Sequence, residues 1–183
     1  MIVQGNDPYT QASFSLRNRM ARAIWGIVWL MLFRPTPRNF HLWRITLLRL
    51  FGAKIGSGCA IYPSTKIWAP WNLICEDTVA IASDVDVYNP ALVTLFTHAI
   101  VSQGAYLCGA THAIHESNFQ LIAKPISIGS YAWVAARATV MPGVSLGTGS
   151  VLALGGVATK DIPPWEIYGG VPAKHLGQRR SAQ

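Results

Sequence analysis

The sequence has little charge: 13% of its 183 residues are Asp, Glu, Lys or Arg, while 51% are hydrophobic. Average soluble domains hold roughly 25% and 45–50%, so this chain is too apolar for disorder and is expected to fold. It also lacks an apolar run that could cross a bilayer. The longest, Ile24 to Phe33, has ten residues, where a span needs about twenty. That run starts late, stops at Arg34 and has no small-residue cleavage site, so no secretory signal is expected and the mature chain should begin near Met1. Cysteine is scarce. Cys59, Cys75 and Cys108 are far apart and form no CxxC, which removes the usual zinc and redox motifs and predicts reduced thiols in a cytoplasmic protein. The length fits one domain.

Acidic residues are rare at one end. Residues 1–54 hold eight Lys or Arg and one acid, Asp7, whereas residues 55–183 hold seven of each sign. The formal charge of +7 therefore belongs to an N-terminal arm. No nucleic-acid motif accompanies it, and no nucleic-acid partner is expected.

Within that arm, Leu16, Met20, Ile24, Ile27 and Val28 follow helical spacing, with Arg17, Arg19 and Arg22 at other angles. A break at Arg34-Pro35-Thr36-Pro37 separates a second helix, about Phe40 to Leu50, that mixes Trp43, Leu47 and Leu48 with Arg44 and Arg49. An Arg-rich, Trp-bearing amphipathic helix suits a membrane interface; it equally suits a cap on the apolar end of the body. The two roles are compatible.

Past Phe51 the period becomes six. Ile55, Ile61 and Ile67 are followed, after short insertions, by Cys75, Ile81, Val87, by Leu95, Val101, Leu107, by Ile128, Val134, Val140 and by Leu146, Leu152, Ala158. All fifteen positions are apolar. Three hexads make one turn of a triangular solenoid, and equivalent positions stack at about 4.7–4.9 Å into interior ladders. Gly56, Gly129, Gly147, Ala82 and Ala135 suit its corners. Between Leu107 and Ile128 the repeat needs six residues and has twenty-one. About fifteen, residues 111–125, leave the solenoid as a long loop that contains His112, His115 and Glu116, and such excursions from a rigid scaffold commonly carry function. The expected organisation is an arm over 1–54, a solenoid over 55–163 and a tail over 164–183.

Several motifs resemble the hexapeptide-repeat acyltransferases. They are Ser102-Gln103-Gly104-Ala105-Tyr106-Leu107-Cys108 leading to Thr111-His112, then Lys124-Pro125-Ile126-Ser127-Ile128-Gly129, Ala132-Trp133-Val134, Thr159-Lys160-Asp161-Ile162-Pro163-Pro164 and Gly170-Val171-Pro172-Ala173-Lys174. Leu32-Phe33-Arg34-Pro35-Thr36-Pro37, Trp43-Arg44, Phe51-Gly52-Ala53 and Pro70-Trp71-Asn72-Leu73 narrow the resemblance to the colanic-acid-biosynthesis acetyltransferase subfamily and related exopolysaccharide enzymes. The resemblance implies a mainly β fold, a left-handed parallel β-helix of about five coils. It further implies a homotrimer that moves an acetyl group from acetyl-CoA to a sugar hydroxyl, on a free or lipid-linked acceptor, without a metal.

A hydroxyl needs a general base at neutral pH, and histidine is suited to that work. His112 stands at the family's catalytic position. Many relatives follow it with Asp, where this chain has Ala113, so Glu116 or a backbone carbonyl is expected to orient the imidazole. His115 is either a second base or a polar loop residue, and His98 reads as surface or intersubunit packing. Matching positions assign acetyl-CoA to Trp133, Ala136, Leu154, Thr159, Lys160 and Lys174, with Leu154 replacing a smaller residue, and the acceptor to Tyr88 and Asn89. Arg179 and Arg180 are either partners of the 3′-phosphate or a basic frayed end.

The expected function is thus sugar O-acetylation in exopolysaccharide assembly, in the cytoplasm or peripherally on the inner face of its membrane through residues 15–50. Two other classes share the solenoid. A trimeric zinc carbonic anhydrase would need His98, His112 and His115 around one metal. A non-catalytic membrane scaffold would leave Ala113 and Leu154 as traces of lost chemistry.

Overall fold

Apolar residues every sixth position cannot all be buried by a helix or a flat sheet, but a chain that turns every six residues buries them all. The computed structural model, which describes residues 2, 3 and 5–180, winds in this way from Lys54 as a three-sided prism of short parallel strands. The first side stacks Lys54–Ile55, Leu73–Cys75, Val93–Leu95, Ile126–Ile128 and Ser145–Leu146. On the second side lie Ala60–Ile61, Ala80–Ile81, Ile100–Val101, Trp133–Val134 and Val151–Leu152. Lys66–Ile67, Asp86–Tyr88, Tyr106–Cys108, Thr139–Val140 and Val157–Ala158 form the third.

Strand register sets Ile55, Cys75, Leu95, Ile128 and Leu146 one above another. The second ladder is Ile61, Ile81, Val101, Val134, Leu152, and the third is Ile67, Val87, Leu107, Val140, Ala158. All fifteen side chains are buried, none above 6% exposed. The coil count is nearer six than five. Ile162 bridges to Leu146 and Glu166–Gly169 pairs with Val151–Leu152. The sixth-residue pattern conceals this turn because Ile162 follows Ala158 after four residues instead of six.

One corner shows how the backbone accommodates so tight a winding. Gly58, Thr78, His98, Tyr131, Gly149 and Trp165 occupy it on successive coils, each with φ between 57° and 66°. The left-handed conformation is costly for the residues with side chains, and it persists because each is tied to the coil before it, as His98 N–H is to Asp77 O at 3.1 Å and Tyr131 N–H to Thr97 O at 3.0 Å. His98 is accounted for here: its ring stacks on Tyr131 at 4.7 Å, and Nδ1 lies 2.7 Å from Thr78 Oγ1.

The first coil would expose its apolar end to water. Helix α2 (His41–Leu50) covers it with Ile45, Leu47 and Leu48, joined by Phe33. Arg44 is fully buried in this cap, and its guanidinium is spent on neighbours. Nε donates to Ile61 O at 2.7 Å, Nη1 to Thr36 Oγ1 at 2.7 Å and Pro37 O at 2.9 Å, and Nη2 to Arg38 O at 2.6 Å. One side chain therefore ties the interhelix loop to α2 and to the first coil.

Helix α1 (Leu16–Val28), capped by the Ser15 hydroxyl, runs into a π-helical turn, Trp29–Phe33. The wider turn lets Trp25, Trp29 and Phe33, four residues apart, all face the body. Trp25 Nε1 donates to Ile67 O at 2.7 Å and Trp29 Nε1 to Thr65 O at 2.8 Å.

Arg44→Ala removes the partners of several buried carbonyls and leaves a void, and it is expected to cost about 2–4 kcal/mol. Urea denaturation should show a lower midpoint at unchanged slope, with Arg44→Lys failing to restore it because an ammonium cannot reproduce the planar fork. A midpoint that stayed put in Arg44→Ala would contradict this role.

Candidate active site

The interrupted hexad becomes an antiparallel hairpin. Ala110–His112 pairs with Leu121–Ala123, with His112 opposite Leu121, and the hairpin leaves the prism at the corner between the third and first sides. Its tip folds through short bonds, Ala113 N–H to Gln120 O at 2.9 Å and Phe119 N–H to Glu116 O at 3.0 Å.

Phe119 has a φ of 44°, a left-handed conformation that sets the direction of its carbonyl. Nδ1 of His112 lies 2.8 Å from that oxygen. A carbonyl only accepts, so the imidazole proton sits on Nδ1 and Nε2 keeps its lone pair. The Phe119 ring also lies on the His112 ring, centroids 4.5 Å apart and planes 7° from parallel, and Tyr9 covers the far face of Phe119 at 5.9 Å. The half-buried histidine is therefore held by its edge and by its face.

This arrangement decides the question of orientation. Of the two orienting groups expected, Glu116 instead accepts a bond from Gln120 Nε2 at 2.6 Å, and the backbone carbonyl of Phe119 is the one that meets His112. Gln120 Oε1 in turn accepts from Gly5 N–H at 3.2 Å, so the first residues of the chain brace the hairpin. Ala113 is 8% exposed. A carboxylate there would be desolvated. His115 is exposed at the tip.

Beside the hairpin base, the third side presents two outward rows, Lys66, Asp86, Tyr106 and Trp68, Tyr88, Cys108. Trp68 and Tyr88 meet edge to face at 5.4 Å, and the Arg22 guanidinium lies 4.2 Å over Trp68. Burial raises the Asp86 carboxyl above its ordinary range, with Lys66 pulling it back in part. The Tyr88 phenol is raised by burial and by Cys108 and lowered by Arg22. Of these residues the sequence reading named Tyr88 and did not name Arg22, Trp68, Asp86 or Tyr106. The signal was the alternation within each strand, since residues either side of Ile67, Val87 and Leu107 must point outward. Asn89 does not belong with them. It is fully buried, accepting from Ala69 N–H at 2.9 Å and donating to Ala69 O and Asn72 O at 2.8 and 3.0 Å, so it braces the corner and offers a ligand nothing.

A groove of about 680 Å³ lies on the second side. Trp133, Ala136 and Leu154 line it, with Ser102, Ala153 and Arg179. Trp133 Nε1 donates to Ser102 Oγ at 2.8 Å, and Arg179 closes against Tyr131 O at 2.7 Å and Gly149 O at 3.1 Å. Arg179 is thus anchored and not frayed. Leu154 is 74% exposed on the groove wall. Thr159, Lys160 and Lys174 are exposed outside the groove: the first two follow Val157–Ala158 at the corner that carries the hairpin, and Lys174 opens the strand Lys174–Gln178. The histidine and the groove therefore occupy different edges of one prism. Among the described residues, no three His, Cys, Asp or Glu side chains gather as metal ligands, and His98 stands on another corner from His112 and His115.

No family model matches the chain. It is 36% identical over 162 residues, 88% of this chain and 89% of the relative, to the Escherichia coli K12 protein assigned as the colanic acid biosynthesis acetyltransferase WcaF. Among solved structures, a maltose O-acetyltransferase from Clostridium difficile 630 superposes with a TM-score of 0.83 at 19% identity, covering 91% of this chain and 90% of that one. The hexapeptide-repeat acetyltransferase VCA0836 of Vibrio cholerae in complex with acetyl-CoA gives 0.80 at 22% identity, covering 91% of each. These structures share the left-handed parallel β-helix. The stacked hexads, the single hairpin bearing His112 and the identity across nearly the whole length together make this chain a member of the WcaF-like hexapeptide-repeat acetyltransferases.

Proposed function

We propose that the protein transfers an acetyl group from acetyl-CoA to a hydroxyl of a sugar in exopolysaccharide assembly, with His112 as general base. The observation that carries this reading is the contact of His112 Nδ1 with Phe119 O at 2.8 Å: in the neutral ring a proton held there leaves Nε2 as the basic atom. Nε2 takes the proton of the sugar hydroxyl as its oxygen attacks the thioester carbon. The C–S bond then breaks and the proton passes from His112 to the CoA thiolate, leaving an O-acetyl sugar and CoA. No metal is required by this balance.

The groove along Trp133, Ala136 and Leu154 fits the thin pantetheine arm because small side chains line its floor. Lys160 and Lys174, exposed cations, are assigned to its phosphates, and Thr159 to the same arm. The acceptor is assigned to the surface around Tyr88 beside the hairpin base, which Trp68 supports edge to face. Since base and groove sit on different edges of one chain, the working unit is a homotrimer in which His112 of one copy faces the groove of the next. In this reading the enzyme works in the cytoplasm.

Release of free thiol from acetyl-CoA, measured against hexoses, nucleotide sugars and lipid-linked sugars, should be acceptor-dependent and fall at least about a hundredfold in His112→Ala. Release that His112→Ala leaves intact would overturn the assignment. Phe119→Ala, which keeps the carbonyl but removes the stacked ring, is expected to lower kcat about tenfold with little change in the KM for acetyl-CoA. Glu116→Gln should stay within about twofold of the parent, because the carboxylate does not touch His112; a loss as deep as that of His112→Ala would return the orienting role to Glu116.

A further inference from the structure

Hydropathy alone would turn the aliphatic stripe of α1 toward the core. The body takes the opposite face. Asn18 and Trp25 are buried and Arg22 and Trp29 half-buried against the prism, locked by the two indole bonds to Ile67 O and Thr65 O. Leu16, Met20, Ile24, Ile27 and Met31 consequently point outward along the whole length of α1 and its π turn, each between 54% and 68% exposed. Trp43 of α2, 45% exposed, adjoins the end of this stripe through its Nε1 bond to Leu32 O at 2.8 Å.

The edges of the stripe are cationic. Arg17 and Arg19, both exposed, lie on either side of it by helical angle, and exposed Arg34 and Arg38 follow its end. Between Asp7 and Glu76 the chain has no acidic residue. What covers this face must therefore be apolar in the middle and anionic at the margins. A second copy of the same face is the wrong complement, because it would bring like charges together around the shared apolar seam. The stripe runs parallel to the helix axis, and no helix among the described residues is long and apolar enough to cross a membrane. An α1 that lies flat, with aliphatic side chains in the acyl boundary and guanidinium groups at headgroup level, satisfies all of these conditions.

We propose that the outward face of α1 is a membrane-docking surface that seats the enzyme on an anionic lipid bilayer, with Trp43 at the headgroup boundary. α2 keeps its separate task of capping the prism. The docking surface is independent of the acetyl-transfer chemistry, so either can fail without the other.

The test is co-sedimentation of the full-length protein with phosphatidylcholine vesicles, with and without phosphatidylglycerol, at low and high salt. The parent protein should sediment with phosphatidylglycerol-containing vesicles and be released by salt. In the paired variant Ile24→Gln with Ile27→Gln, the affinity should fall at least tenfold while thermal melting and oligomeric mass stay unchanged. Arg17→Gln with Arg19→Gln should remove mainly the dependence on phosphatidylglycerol. Absence of vesicle binding by the parent, equal binding by parent and Ile24/Ile27 variant, or a change of oligomeric mass in that variant would overturn the proposal, the last because it would make the stripe a contact between copies.

Discussion

Everything in this protein hangs on the spacing between coils. Parallel strands sit about 4.7–4.9 Å apart, and at that spacing the inward side chains of successive coils stack directly on one another along each side of the prism. Ladders such as Ile61, Ile81, Val101, Val134 and Leu152, all at 0% exposure, follow from this. So do the corners: successive coils must superpose, and a Cβ on Gly129 would lie 2.7 Å from the Gly147 carbonyl carbon of the next coil. A scaffold of this kind is rigid, because a change in one coil is felt by its neighbours above and below. It leaves chemistry to whatever departs from the repeat.

Within the stacked hexads the long interruption is the hairpin after Cys108, and its geometry is set by contacts of three kinds. Backbone pairing fixes His112 opposite Leu121, the left-handed φ of Phe119 directs its carbonyl onto Nδ1, and the Tyr9–Phe119–His112 stack holds the ring plane. The arm that supplies Tyr9 also supplies α1. Residues before the prism thus bear on His112 through one stretch and present an aliphatic face through the next.

The ladders were legible because hydrophobic burial repeats with the chain's own period; every one of the fifteen positions read from the sequence is in the core. The sixth coil was hidden by the four-residue step from Ala158 to Ile162. Hydropathy also points to the wrong face of α1, since the choice rests on hydrogen bonds from Trp25 and Trp29 to backbone carbonyls. Nor could the sequence choose between Glu116 and a backbone carbonyl beside His112, or say which carbonyl it would be. A carbonyl carries no residue signature, whereas Glu116 has the right chemistry at a plausible distance in sequence and points elsewhere. Asn89 shows the converse, a polar residue at a matching position whose amide is used up by Ala69 and Asn72. Trp133, Ala136 and Leu154, named from the family resemblance, line one groove, while Lys160 and Lys174 lie outside it.

The proposal that base and groove meet across two copies is best tested with two variants that fail for different reasons. His112→Ala lacks the base and Ala136→Trp blocks the groove, so each should be inactive alone. In every mixed trimer formed by co-expression, one of the three interfaces pairs an intact base from one copy with an open groove from the next, and acceptor-dependent thiol release should return to about a third of the parent activity. Mixed trimers confirmed by mass that remain inactive, with each variant folded, would contradict a site built between copies.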